Sequence, residues 1–120
     1  MSIDQTQEEK KLLDIPSALL RVRGKEHTLI RMLHLFLNSR EFDQLEEALA
    51  AQDYPLAANL AHAIKGMTGN LSMPLLFEAS AEAVVQLRQN RLSDQVLARY
   101  RYAYARTRAL VELLLRDAGE

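Results

Sequence analysis

His62 sits in the run NLAHAIKGMTGNLS, residues 59–72, with a cation, Lys65, three positions on and glycines at 66 and 69. An exposed imidazole is mostly in its neutral, nucleophilic form at neutral pH. A lysine one helical turn away is a poor neighbour for an imidazolium and a good one for a phosphoryl group. At ~5 Å and an effective dielectric of 20 the gross attraction is roughly 3 kcal/mol per unit charge, and less at a wet surface. The pairing suits a histidine that carries an anionic group.

The glycines sharpen this reading. Each one inside a helix costs about 1 kcal/mol relative to alanine. At about 100° per residue, Leu60, Ile64, Met67 and Leu71 gather in one arc, with Leu56 and Ala57 close by, and this arc is expected to face the core. His62 then falls on the opposite side with Pro55, Ala58, Lys65, Gly66 and Gly69. Its neighbours four residues back and four on are Ala58 and Gly66, so little side chain stands above or below the ring. An ordinary solvent face would carry Glu, Lys, Gln and Arg. A face stripped to small residues lets another protein's rigid surface approach the ring nitrogen, with Ala58, Gly66 and Gly69 as the docking residues. The plain alternative is a surface histidine with incidental glycines near a frayed helix end.

The elements that must present His62 are all helical. β-branched residues are sparse and no alternation is sustained, whereas helical periodicity dominates. A short element runs from about Ile15 to Val22 and ends at Gly24, a C-cap residue type. From Lys25 a helix carries Leu29, Leu33 and Phe36, and beyond Asn38 and Ser39 the apolar positions shift to Phe42, Leu45 and Leu49. This reads as one long helix with a drift or kink, or as two helices. Asp53 is placed to cap a helix through Leu71, with Pro55 in its first turn. Ser72 is placed to cap the next, with core positions at Leu76, Ala79 or Ser80, Ala83 and Leu87. After a break at Asn90 and Ser93, Val96, Tyr100, Ala103, Thr107, Leu110 and Leu114 step by four and three. Short loops make neighbouring helices antiparallel. The expected fold is all-α: an antiparallel four-helix bundle over residues 15–117 with a short additional N-terminal helix, a polar tail over 1–14 and a C-terminal tail over 118–120.

Composition narrows the function. A chain of 120 residues, 48% apolar and 26% charged, has the profile of one folded soluble domain. Without cysteine, disulfides, thiolate zinc sites and cysteine nucleophiles are excluded. The start, MSIDQTQEEKK, lacks the apolar core of a signal peptide, and no run is long enough to span a membrane. A cytoplasmic location is expected. Net charge is −1, which marks no nucleic-acid or membrane binder. The seven arginines between Arg88 and Arg116 stand against Asp94 and Glu112 alone, and read as the solvated face of a helix or as a surface that steers a partner. In RYRYAYARTR, residues 99–108, Tyr100 lies on the apolar stripe while Arg99, Arg106 and Arg108 lie off it. Core tyrosine with snorkelling arginines accounts for this better than nucleic-acid stacking. His27 and His34 read as surface or packing residues. A metal site built from His27, His34 and His62 would need convergence of separate helices with no ligand motif to suggest it.

AHAIKGMTGNLS resembles the signature of histidine-containing phosphotransfer (HPt) domains, roughly A-H-x-L-K-G-x-x-x-x-L-G. Ala61, His62, Ile64, Lys65, Gly66, Asn70 and Leu71 fall where that pattern wants them. ALLRVRGKEHTLIRMLHLF resembles the family's opening helix, and ALAAQDYPLAANLAH its approach to the active histidine, so the likeness covers most of Ile15 to Leu87. Two departures stand out: Ser72 where a glycine is common, and VVQL at 84–87 without the glutamate often found there. The resemblance implies a carrier in a multistep phosphorelay. His62 would accept a phosphoryl group, on Nε2, from a receiver-domain aspartate of a hybrid sensor kinase and pass it to a response-regulator aspartate. Lys65 would help to hold the phosphoryl group. Phe36, Leu33 and Met67 would be structural. The chain would bind no cofactor of its own, the partner receiver supplying magnesium, and would have no autonomous kinase activity. Partners would be receiver domains, with no nucleic acid and no membrane, and the chain would act as a monomer. The start at Met1 and the ending RDAGE favour a free-standing protein over a module of a kinase. The competing expectation is a phosphorylation-independent adaptor that binds receivers or kinases through the same face.

Overall fold

The structure is a computed structural model that describes residues 4–119. Seven helices make it up: α1 (Gln7–Leu12), α2 (Ile15–Arg21), α3 (Glu26–Leu37), α4 (Glu41–Ala50), α5 (Tyr54–Asn70), α6 (Pro74–Arg88) and α7 (Asp94–Asp117). No strand occurs among the described residues. Four legs form the bundle. α4 lies along α5, α5 along α6 and α6 along α7, while α3, the other half of the first leg, closes against α7. Only three residues join α5 to α6, too few to return the chain to its starting end, so these long helices run antiparallel. α1 packs on α6 and α7, and α2 on α3.

Several caps follow from the sequence. Asp53 accepts the N–H of Leu56 at 3.2 Å, and Ser93 that of Val96 at 3.2 Å. Leu29, Leu33, Phe36, Phe42, Leu45, Leu76, Ala83, Leu87, Val96, Tyr100, Ala103, Thr107 and Leu110 are all buried as their spacing predicts, and both Ala79 and Ser80 are inside; Leu49 and Leu114 are only half-buried, with Ala48 and Leu115 beside them in the core.

The structure corrects four expectations. Residues 25–49 are two helices, because the backbone leaves the helical ladder at Asn38 and the Ser39 hydroxyl bonds the Glu41 carboxylate. Phe36 on one side of this break and Phe42 on the other are joined by Tyr104, whose ring stacks on Phe42 at 4.1 Å. The expected polar tail over 1–14 contains α1, which opens on a capping box between Thr6 and Glu9. Its last apolar residues, Leu12 and Leu13, are buried, and the Gln5 amide bridges the Leu13 carbonyl (2.7 Å) and the Ile15 N–H (3.0 Å). Two short helices therefore lead the bundle, not one; the tail's first three residues lie outside the described chain.

Ser72 does not cap α6. Met73 holds the N-cap position, and Ser72 has left-handed backbone at φ +57°. The core face of α5 is also turned by roughly 60° from the expected arc. Ala57, Ala61, Ile64 and Thr68 define it, while Leu60 and Met67 are half-buried and Leu56 is 47% exposed. Small residues face inward on a helix that packs along both α4 and α6, where long side chains would hold the backbones apart.

The arginine-rich helix is a solvated face tied to its neighbours. Arg99 pairs with Glu82 at 2.7 Å and Arg101 with Glu46 at 2.6 Å, both exposed, and such pairs contribute little each. Tyr100 is buried, which leaves Tyr102 as the exposed ring of that run, with Arg106 over it.

Candidate functional site

α5 carries His62 at its middle, exposed, and among the described residues neither ring nitrogen has a hydrogen-bond partner. At the next turn Gly66 is open: a Cβ built there would meet nothing within 4 Å. At the preceding turn the expectation fails for Ala58. It is 6% exposed and belongs to the core, because the inward arc of α5 reaches further round the helix on that side. A buried methyl still leaves the surface beneath the ring low, but Ala58 itself is not part of the exposed face as expected.

Lys65 is half-buried and lies alongside Phe77 of α6, its Nζ 5.9 Å from the ring centroid. Among the described residues it has no carboxylate partner. The aromatic face attracts the ammonium weakly and limits its sweep without neutralising it. Gly69 makes this possible. A Cβ there would come within 3.1 Å of two Phe77 ring atoms, so the glycine seats the ring that seats the lysine. Its role is therefore helix contact before surface bareness.

His62, Lys65, Gly66 and Gly69 line one groove of about 520 Å³, floored by Thr68 and Met73. The far wall is α2: Asp14, Ser17 and Arg21 face the same space. Sequence spacing along α5 could not show this wall, which lies more than forty residues away in the chain. The signal that could have found it is Ser72, the residue that departs from the pattern. Its Oγ lies 2.9 Å from Ser17 Oγ and accepts the Nε–H of Arg21 at 3.0 Å, and its carbonyl accepts the Asp14 N–H at 2.9 Å.

His27 is exposed and His34 half-buried on α3. Among the described residues no three His, Asp or Glu side chains form a group able to hold a metal, so the three histidines do not converge. No helix among these residues is long and apolar enough to cross a membrane.

The family model described as Hpt domain matches residues 31–117, and the chain belongs to that family. Its members are phosphocarrier modules that take part in histidine phosphotransfer in phosphorelays and interact with receiver domains. No curated protein and no solved structure matches the chain.

Proposed function

We propose that the chain is a phosphoryl carrier of a multistep phosphorelay, with His62 as the residue that is phosphorylated. One observation carries the reading. Among the described residues the exposed ring of His62 has no partner on either nitrogen, and it opens on a groove where Lys65 has no counter-ion.

In the forward step the lone pair on Nε2 of the neutral imidazole attacks the phosphorus of a receiver's aspartyl phosphate. The N–P bond forms as the P–O bond to the aspartate breaks, and its electron pair leaves with the carboxylate. Nδ1 keeps its proton, so the ring needs no base. Transfer to the second receiver is the reverse step on a different aspartate. Such chemistry asks for in-line positioning and charge neutralisation more than covalent machinery. Lys65 supplies part of the neutralisation. The open surface at Gly66, with Gly69 holding the adjacent ring back, lets the receiver's acidic site close over the histidine. Magnesium stays with the receiver, the chain turns over nothing by itself, and its donor and acceptor are receivers of a hybrid sensor kinase and of a response regulator in the cytoplasm.

The test is phosphotransfer from magnesium-loaded, phosphorylated receivers, tried as a panel, to the native chain and to His62→Gln. Acid-labile label on the native chain alone is the expected result. No label from any receiver, with binding retained by both chains, would overturn the carrier and leave an adaptor.

A further inference from the structure

Ser72 is a costly residue where it stands. Its φ of +57° lies in the left-handed region, which disfavours a side chain by roughly 1–2 kcal/mol and which glycine enters freely. The serine hydroxyl must return something, and what it returns is visible: it holds Arg21. Nε of Arg21 donates to Ser72 Oγ at 3.0 Å, and Ser17 braces the same oxygen at 2.9 Å. Nε is the only nitrogen of the guanidinium spent in this way. The two terminal nitrogens have no acceptor and no carboxylate among the described residues, although Arg21 lines the groove together with His62 and Lys65.

The charged groups lining this groove are few. Arg21 and Asp14 come from α2 and its cap, His62 and Lys65 from α5, and α6 contributes none. Asp14 is occupied as the N-cap of α2, its Oδ1 accepting the Ser17 N–H at 3.1 Å. Among the described residues Arg21 makes no ion pair with it or with any other carboxylate, and is fixed at its neck with a planar pair of donor groups free. That is the form in which guanidinium grips phosphate oxygens.

Resting on the carrier reading, we propose that Arg21 is a second phosphoryl-binding residue, positioned by Ser72, that holds the oxygens of the group on His62 from the wall facing Lys65. The phosphorylated groove then has two cations, one from α2 and one from α5, about a dianion. Glycine at position 72 would leave Arg21 without an anchor.

The test uses the isolated full chain labelled chemically with phosphoramidate, so that it does not depend on any receiver. The phosphorus NMR signal absent from His62→Gln is followed with pH. Each cation near the phosphoryl group favours its dianion and lowers the titration midpoint. Arg21→Gln is expected to raise the midpoint by about half a pH unit, a proton affinity about threefold higher. Arg21→Lys should lie between, and Ser72→Gly should move the same way as Arg21→Gln. Lys65→Ala serves as the positive control. Identical midpoints for the native chain and Arg21→Gln, with Lys65→Ala shifted, would overturn the proposal, since a merely structural role for Arg21 does not move this midpoint. Failure of every receiver to label the native chain is a separate result that strikes the carrier reading.

Discussion

Arg108 of α7 donates from Nη1 to the carbonyl oxygen of Leu37, the last residue of α3, at 3.2 Å and across 71 residues of chain. The same nitrogen reaches the Tyr104 hydroxyl at 3.2 Å, and Nε pairs with Glu112 at 2.8 Å. The last carbonyls of a helix have no partner within it. Here one of them is satisfied from the neighbouring leg, where the first leg of the bundle breaks.

Replacing Arg108 with Met keeps most of the stem and removes every donor. The expected loss is about 1–2 kcal/mol, as for a partly buried hydrogen bond to a charged group, read as a lower urea midpoint. Arg108→Lys should recover only part, because an ammonium lacks the fork that serves Leu37, Tyr104 and Glu112 together. Phosphotransfer to His62 should be unchanged in both.

Gly66→Ala should make the protein more stable and less active. Nothing lies within 4 Å of the added methyl, so the helix gains up to about 1 kcal/mol, a rise in Tm of a few degrees. On the carrier reading a methyl one turn from His62 stands in the receiver's approach, and transfer from a phosphorylated receiver should fall at least about tenfold, the cost of a small misplacement of the reacting groups. Gly69→Ala should behave differently. Its methyl displaces the Phe77 ring at 3.1 Å, so most of the helix gain is lost and Lys65 loses its seat. Calorimetry beside a transfer assay separates the two.

Tyr100 makes the stability fall at high pH. Burial pushes its phenol well above the ordinary value, with the Glu46 carboxylate and Tyr104 acting in the same direction and Arg101 against. A group whose pKa is raised by folding contributes its stability in full below the unfolded value, about 10 for tyrosine, and loses it as pH rises beyond. Denaturant midpoints of the native chain should therefore decline above about pH 10, and those of Tyr100→Phe should decline less. Tyrosinate absorbance should show one ring of the native chain ionising only as the protein unfolds.

Much of this molecule is legible in its sequence, and the misses share causes. The last helix is read correctly from Val96 to Leu110 because its inward positions are evenly stepped, and the phase slips only in the final turn, where Leu115 is buried in place of Leu114. On α5 the large residues mislead: Leu60 and Met67 are half-buried at the edges, while Ala57, Ala61, Ile64 and Thr68 face the core. Periodicity weighs hydrophobic size, whereas a close helix contact selects small volume, and Ala58 is misplaced for the same reason. α1 is hidden because only Leu12 and Leu13 anchor it, although Thr6 and Glu9 already spell its capping box. The break after Leu37 shows as a phase shift without revealing how sharp it is, since the group that accommodates it, Arg108, lies on another helix. For the same reason the α5 face of the groove could be read from spacing and the α2 face could not: a distant wall leaves no period.

α2 has seven residues, too short to persist in water by itself. Its durability is borrowed from Ile15 and Ala18 in the core and from the clamp on Ser72. Releasing it exposes far less surface than unfolding the four legs, so its opening is a local event with its own smaller free energy. The groove beside His62 therefore has a lifetime set by α2. Amide exchange in α2 should outpace that in α5, and on the carrier reading the rate at which this wall closes again bounds how quickly a docked receiver finds the site complete.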